Sequence, residues 1–262
     1  MNLHIVSDLH LEFYPLELPD TGADAIILAG DIGLHTHGLE WAIQELGGRG
    51  KPLFYVIGNH EFYGAELHGL TAELKRLAQE ARNAGIQVWV LDNDRVDLDG
   101  VRFLGCTLWT DYQLYGSGDK MAMAMNIANR AINDHRVIRC SPHDKFTPSQ
   151  ALALHQASVH WLKEQLDTPF AGKTVVITHH LPSERCVAPQ FIGDALSPAF
   201  ASNRDALVKK ADLWVCAHTH SSLELRIGGK LVICNPRGYV RQRPWGLEEE
   251  NPDFDPGLVV GV

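Results

Sequence analysis

The 262-residue sequence contains no C-x-x-C pair, and its five cysteines, Cys106, Cys140, Cys186, Cys216 and Cys234, are odd in number. A secreted disulfide framework is therefore disfavoured, and a reducing, cytoplasmic setting is expected. No stretch approaches the length of a membrane span, and the first residues, MNLHIVSDLH, enter a strand-like run without a cationic leader. Secretion and membrane insertion are both disfavoured. Positive charge is scarce as well: 23 Lys and Arg stand against 32 Asp and Glu, a formal net charge of -9. The basic residues are scattered rather than clustered, so the electrostatic footprint of a nucleic-acid surface is missing. Internal repeats and low-complexity segments are also absent, and one domain spanning 1–262 accounts for the length.

Apolar residues make up 45% of the chain, enough to fill a sizeable core. Short runs rich in Ile, Val and Leu recur at Leu3 to Val6, Ala25 to Ala29, Leu53 to Ile57, Val88 to Leu91, Val101 to Gly105, Thr174 to Thr178, Leu213 to Ala217 and Leu231 to Cys234. Amphipathic stretches lie between several of them, the alternation of a layered α/β fold. The clearest helix runs from about Ala65 to Asn83, with Leu67, Leu70, Leu74, Leu77 and Ala81 at three- and four-residue spacing and Gly85 as its stop. A second covers about Ser149 to Leu166. Val96 to Leu98, Asp99-Gly100 and Val101 to Leu104 read as a hairpin, so the strands are not all parallel and two packed sheets are expected. The segment 111–148, with Met121, Met123 and Met125 and the basic residues Arg130, Arg136, Arg139 and Lys145, reads as a cap inserted over the core.

Residues able to bind metal collect where those runs end, which is where α/β folds place their chemistry. The first run is followed by Asp8-Leu9-His10, the second by Gly30-Asp31, the third by Gly58-Asn59-His60-Glu61, and later ones by His179-His180 and His218-Thr219-His220. Asp, Asn and His together suit manganese, iron, zinc, nickel or cobalt better than magnesium alone. The alternating spacing of Asp8-x-His10 and of His218-x-His220 predicts that each pair shares one side of an extended segment.

The ordered set D-x-H, G-D, G-N-H-E, a histidine after a strand and a final H-x-H resembles the calcineurin-like metallophosphoesterase superfamily. Ala217 stands where the family's last motif usually has glycine. The resemblance implies two packed mixed β-sheets flanked by α-helices, the four-layer α/β/β/α sandwich. It implies two divalent metal ions, one held by Asp8, His10, Asp31 and His220 and the other by Asp31, Asn59, His179 and His218. Asp31 would bridge them, and a hydroxide shared by the ions would attack a phosphate ester. His60 is then the histidine that does not bind metal, a general acid or electrostatic stabiliser near the leaving group. Leu34 takes the place of the metal-binding tyrosine of purple acid phosphatases, and no arginine follows Gly30-Asp31 as in protein serine/threonine phosphatases. The G-N-H-E form is similar to bacterial and cyclic-nucleotide phosphodiesterase-like members. A small-molecule phosphodiester is the first substrate expectation and a monoester the second, with a nuclease or a non-catalytic binding scaffold as alternatives.

His180 and Arg237 are expected to line the substrate pocket. Glu61 is read as a helix-entry residue or as a partner holding a histidine, outside the metal set. His4, His68, His155 and His160 are read as structural.

Overall fold

The computed structural model describes residues 1–262. Its first half runs β1 (Asn2–Val6), β2 (Ala25–Leu28), α1 (His37–Leu46), β3 (Leu53–Val56), α2 (Leu67–Asn83), β4 (Val88–Leu91), β5 (Asp94–Leu98), β6 (Val101–Cys106), α3 (Asp119–Ala131) and α4 (Asp134–Val137). It continues with α5 (Pro148–Asp167), β7 (Lys173–Thr178), α6 (Asp205–Val208), β8 (Leu213–Cys216), β9 (Leu223–Ile227), β10 (Lys230–Cys234), β11 (Val240–Arg243), β12 (Gly246–Glu249) and β13 (Val259–Gly261). No helix is long and apolar enough to cross a membrane.

One sheet has the order β13-β1-β2-β3-β4 and the other β5-β6-β7-β8-β10-β9, while β11 and β12 form a separate hairpin. Strands β1 to β4 pair in parallel, as do β6, β7, β8 and β10; β13, β5 and β9 add antiparallel edges. Every residue of β2 (AIIL) and β3 (LFYV) is buried, because both faces of an internal parallel strand are covered. One face of each sheet turns inward: Ile5, Ile27, Phe54 and Val56 meet Phe103, Val175, Ile177 and Val215 in a single cluster. Phe54 and Phe103 stack there with ring centroids 3.9 Å apart. The outer face of the first sheet packs on α1 and α2 through Leu39, Leu46, Leu70 and Leu74, and that of the second on α5 and α6 through Leu162, Leu207 and Val208. The chain thus forms two mixed sheets between helical layers.

Local signals agree with these boundaries. Asp99 and Gly100, at φ 47 and 77, supply the two left-handed positions of the β5–β6 turn. A capping box between Thr147 and Gln150, followed by Pro148, opens α5. Met121 and Met125 pack partly against the first core cluster while Met123 is 67% exposed, so α3 is an amphipathic helix lying on the body of the protein. Strands β9, β11, β12 and β13 fall outside the apolar runs, since each is an edge or hairpin strand with at least one wet face.

His155 on α5 is a structural histidine with a consequence for stability. Its Nδ1 donates to the carbonyls of Leu108 (3.2 Å) and Trp109 (3.3 Å), and its Nε2 accepts from Arg204 Nε at 3.0 Å. Arg204 also pairs with Asp111. Burial, and then the Arg204 charge, push the imidazole down to about 4. Below the ordinary histidine value the unfolded chain takes up a proton that the folded chain refuses, so folding stability falls with pH. Denaturant titrations from pH 6.5 to 4 are expected to show about 1.4 kcal/mol lost per pH unit from this group. His155→Gln is expected to flatten that slope; an unchanged slope would discard the assignment.

Candidate metal centre

The residues singled out at the strand ends converge at one end of the two sheets. Asp8 and His10 follow β1, Asp31 follows β2, Asn59 and His60 follow β3, His179 follows β7, and His218 and His220 follow β8. The expectation of extended D-x-H and H-x-H segments is corrected by the backbone. Asp8 (φ 48), His10 (φ 45), Asp31 (φ 54), His218 (φ 77) and His220 (φ 46) are all left-handed, so each strand turns sharply just as it delivers its side chain. Asp and His tolerate this conformation better than bulkier residues, and such strain gathers at functional sites. Two glycines make the crowding possible: a Cβ on Gly30 would meet the His179 ring, and one on Gly58 would meet Asp31. Ala217 is fully buried, and its N–H donates to the His179 carbonyl at 2.9 Å, so the methyl group in place of the usual glycine hydrogen is accommodated.

Hydrogen bonds at the outer edge fix which ring atoms face inward. His10 Nδ1 donates to Glu12 Oε1 at 3.1 Å and His220 Nδ1 donates to Glu250 Oε2 at 2.7 Å. In their neutral form both rings therefore direct a bare Nε2 lone pair at each other, 3.0 Å apart. His179 Nδ1 donates to the Ala29 carbonyl at 3.0 Å, which leaves its Nε2 facing Asn59 Oδ1 (2.9 Å), His218 Nδ1 (3.1 Å) and Asp31 Oδ2 (3.3 Å). Asp31 Oδ2 is also 3.9 Å from His10 Nε2, between the two groups. Electron pairs that meet this closely with too few hydrogens among them need a cation, and Asp8 with His10 and His220, and Asp31 with His179 and His218, are sets able to hold one. Electrostatics agree. Burial would lower the His179 imidazole, but the Asp31 carboxylate, its hydrogen bond and Asp8 lift it to about 10. Burial would raise Asp31, yet His179, His60 and His10 hold it well below the usual carboxylate range. The cluster draws positive charge inward, whether as a proton or as a metal ion.

His60 lies beside the cluster with both ring nitrogens engaged: Nε2 faces the Tyr239 hydroxyl at 3.1 Å and Nδ1 lies 3.4 Å from Glu12 Oε1. Its backbone N–H donates to Asp31 Oδ1 at 2.8 Å. His180 does not line the pocket. It is 1% exposed, its Nδ1 faces the Thr107 carbonyl, and its ring packs behind His218 at 4.2 Å; burial and the neighbouring His179 push it down to about 3. Arg237 is corrected too. Its guanidinium is buried and donates to the carbonyls of Leu9 (3.2 Å), Tyr14 (2.8 Å) and Pro15 (3.2 Å), so it closes the loop that carries His10 and Glu12 and does not line the cleft.

The supports were harder to foresee. Glu61 holds backbone rather than a histidine: it accepts from the N–H groups of Asp31 (3.0 Å), Ile32 (2.9 Å) and Gly58 (2.9 Å) and from the Tyr55 hydroxyl (2.7 Å). Burial and the Asp31 charge raise its carboxyl to about 7. Asp134, at the start of α4, accepts from Asn59 Nδ2 (2.9 Å) and the Tyr63 hydroxyl (2.8 Å), which leaves Asn59 Oδ1 turned toward His179. Glu12, Glu250, Asp134 and Tyr239 carry no motif spacing; only the carboxylate-to-histidine habit of metal sites would have suggested that such partners exist. The cluster opens into a cleft of about 980 Å³.

Comparison with known proteins follows the same lines. A family model described as calcineurin-like phosphoesterase matches residues 1–222. An uncharacterised protein of Acanthamoeba polyphaga mimivirus is 25% identical over 92% of each chain. Among solved structures, the phosphopantetheinyl hydrolase (PptH) of Mycobacterium tuberculosis superposes with a TM-score of 0.68 at 20% identity, covering 98% of both chains. The protein TT1561 of Thermus thermophilus gives a TM-score of 0.54 at 17% identity over 95% of this chain and 98% of the other. With the converging residues all inside the matched region, the chain belongs to the calcineurin-like phosphoesterase family.

Proposed function

We propose that the protein is a dinuclear metal-dependent phosphoesterase acting on a small-molecule phosphate ester, with phosphodiesters slightly ahead of monoesters. The observation that carries this reading is the meeting of bare imidazole nitrogens with Asp31 Oδ2 and Asn59 Oδ1 around two adjacent points. On this reading Asp8, His10, Asp31 and His220 would hold one ion and Asp31, Asn59, His179 and His218 the other, with Asp31 common to both sets. The mixed oxygen and imidazole donors suit manganese, iron, zinc, nickel or cobalt. Bound there, a pair of divalent ions would activate a water and neutralise charge on the phosphoryl oxygens.

The remaining work falls to the chain. His60 borders the cleft, where the Asp31 and Glu12 carboxylates outweigh burial and raise its imidazole above the ordinary value. It is the group to protonate the departing alcohol or steady a phosphoryl oxygen, with Glu12 and Tyr239 holding its ring. Arg185 is the only Lys or Arg lining the cleft, a poverty that favours the single charge of a diester over the double charge of a monoester and counts against nucleic acid.

Metal-stripped protein restored with each metal in turn is expected to hydrolyse bis(4-nitrophenyl) phosphate faster than 4-nitrophenyl phosphate. Asp31→Ala is expected to abolish both activities; silence with every metal would overturn the reading in favour of a binding scaffold. Asp134→Ala, which frees the Asn59 amide to rotate, is expected to weaken one of two manganese equivalents by about tenfold to a hundredfold in calorimetric titration. Asp134→Asn, which keeps an accepting oxygen, is expected to restore most of that affinity, and two unchanged sites in the alanine variant would refute the coupling.

A further inference from the structure

At about 980 Å³ the cleft holds far more than a phosphoryl group. Beyond the histidine and carboxylate cluster it continues between the end of α3, with Ile132, and the loop 185–200. That loop turns Val187, Phe191, Ile192 and Phe200 to the cleft. Phe191 is 46% exposed and Ile192 66% exposed, which is unfavourable in water unless something covers them. Their position is fixed by hydrogen bonds: Ser197 Oγ donates to the Phe191 carbonyl at 2.7 Å, and Gly193 N donates to the Tyr115 hydroxyl at 2.9 Å. The apolar wall also begins at the cluster itself, since the Phe200 ring stacks on His218 with centroids 4.7 Å apart.

Charge narrows the occupant. The one cationic side chain on the lining, Arg185, donates its guanidinium to the Arg226 carbonyl at 3.0 Å, while Asp194 and Asp253 add negative charge at the rim. A second phosphate would find a single cation there, already drawn to a carbonyl, and would face the two carboxylates as well.

We infer that the outer part of this cleft is a subsite for the alcohol half of the substrate, and that the substrates are phosphate esters of an uncharged, largely apolar alcohol without a second phosphate. The inference rests on the phosphoesterase reading. It predicts that binding energy grows with the apolar surface the alcohol buries against Phe191, Ile192 and Val187.

The test uses the metal-loaded full chain and 4-nitrophenyl phosphodiesters whose second alcohol is methyl, butyl, hexyl, or a hexyl chain ending in phosphate. The expected result is a rise in kcat/KM of about twofold to fourfold per methylene, the fold-change that corresponds to burying such a group. Adding the terminal phosphate is expected to cancel the gain. Ile192→Asp and Phe191→Asp are expected to bring the hexyl-to-methyl ratio close to one, with melting curves checking that each variant is folded. Equal turnover of methyl and hexyl esters by an active enzyme would overturn the subsite while leaving the phosphoesterase reading intact. No hydrolysis of any ester with any metal would remove both.

Discussion

Two carboxylates, Asp8 and Asp31, are buried where the sheets meet, and most of the surrounding structure is an answer to their charge. An uncompensated buried carboxylate costs several kcal/mol, on the order of 5 or more. Asp8 accepts from the His218 backbone N–H at 3.0 Å and Asp31 from that of His60 at 2.8 Å, so part of the cost is met by main-chain dipoles. The rest is met by imidazoles, whose protons can give way to a cation. Glu61, a third buried carboxylate, is handled differently: four donors saturate it, and it ties the turn after β2 to the turn after β3. Two of these carboxylates face an ion-ready space while the third is satisfied by hydrogen bonds and so acts as a fastener.

The turns that carry the cluster are strained in a way only the packed sheets can sustain. Left-handed backbone costs a non-glycine residue about 1 kcal/mol, and Asp8, His10, Asp31, His218 and His220 all adopt it. Two mixed sheets sharing the Ile5, Phe54, Phe103 and Ile177 core anchor the incoming strands, while Glu61 and Arg237 brace the turns and loop that follow them. Rigidity of this kind keeps donors within a few tenths of an ångström of where a metal needs them.

That division explains what the sequence displays and what it hides. Internal parallel strands such as Ala25–Leu28 and Leu53–Val56 are covered on both faces, so they stand out as continuous apolar runs, and the metal-type residues just beyond them could be located by position. Edge strands such as Leu223–Ile227 alternate and give a weaker signal. Asp134 and Glu250 reach the cluster only through tertiary folding, across 75 residues in the one case and 30 in the other, and no spacing rule predicts such meetings. Arg237 failed as a pocket residue for a related reason. Its place after a strand resembles that of the cluster residues, but unpaired carbonyls of the Leu9 to Pro15 loop lie closer to it than the cleft does.

The C-terminal stretch supports the cluster from outside the strand ends that build it. The family model matches residues 1–222, and Tyr239 faces His60 and Glu250 holds His220 from the stretch that follows. Both residues stand at the base of the β11–β12 hairpin, and Asn251 donates to the Pro236 carbonyl beneath it. The chain then returns to pair β13 with β1, the strand that delivers Asp8 and His10. A change in the hairpin would therefore reach the site through the orientation of two histidine rings, while α4 reaches it through Asp134 and Asn59. Ring orientation and amide orientation set how strongly donors bind a cation, so these two peripheral segments bear on the cluster through the partners they give its side chains.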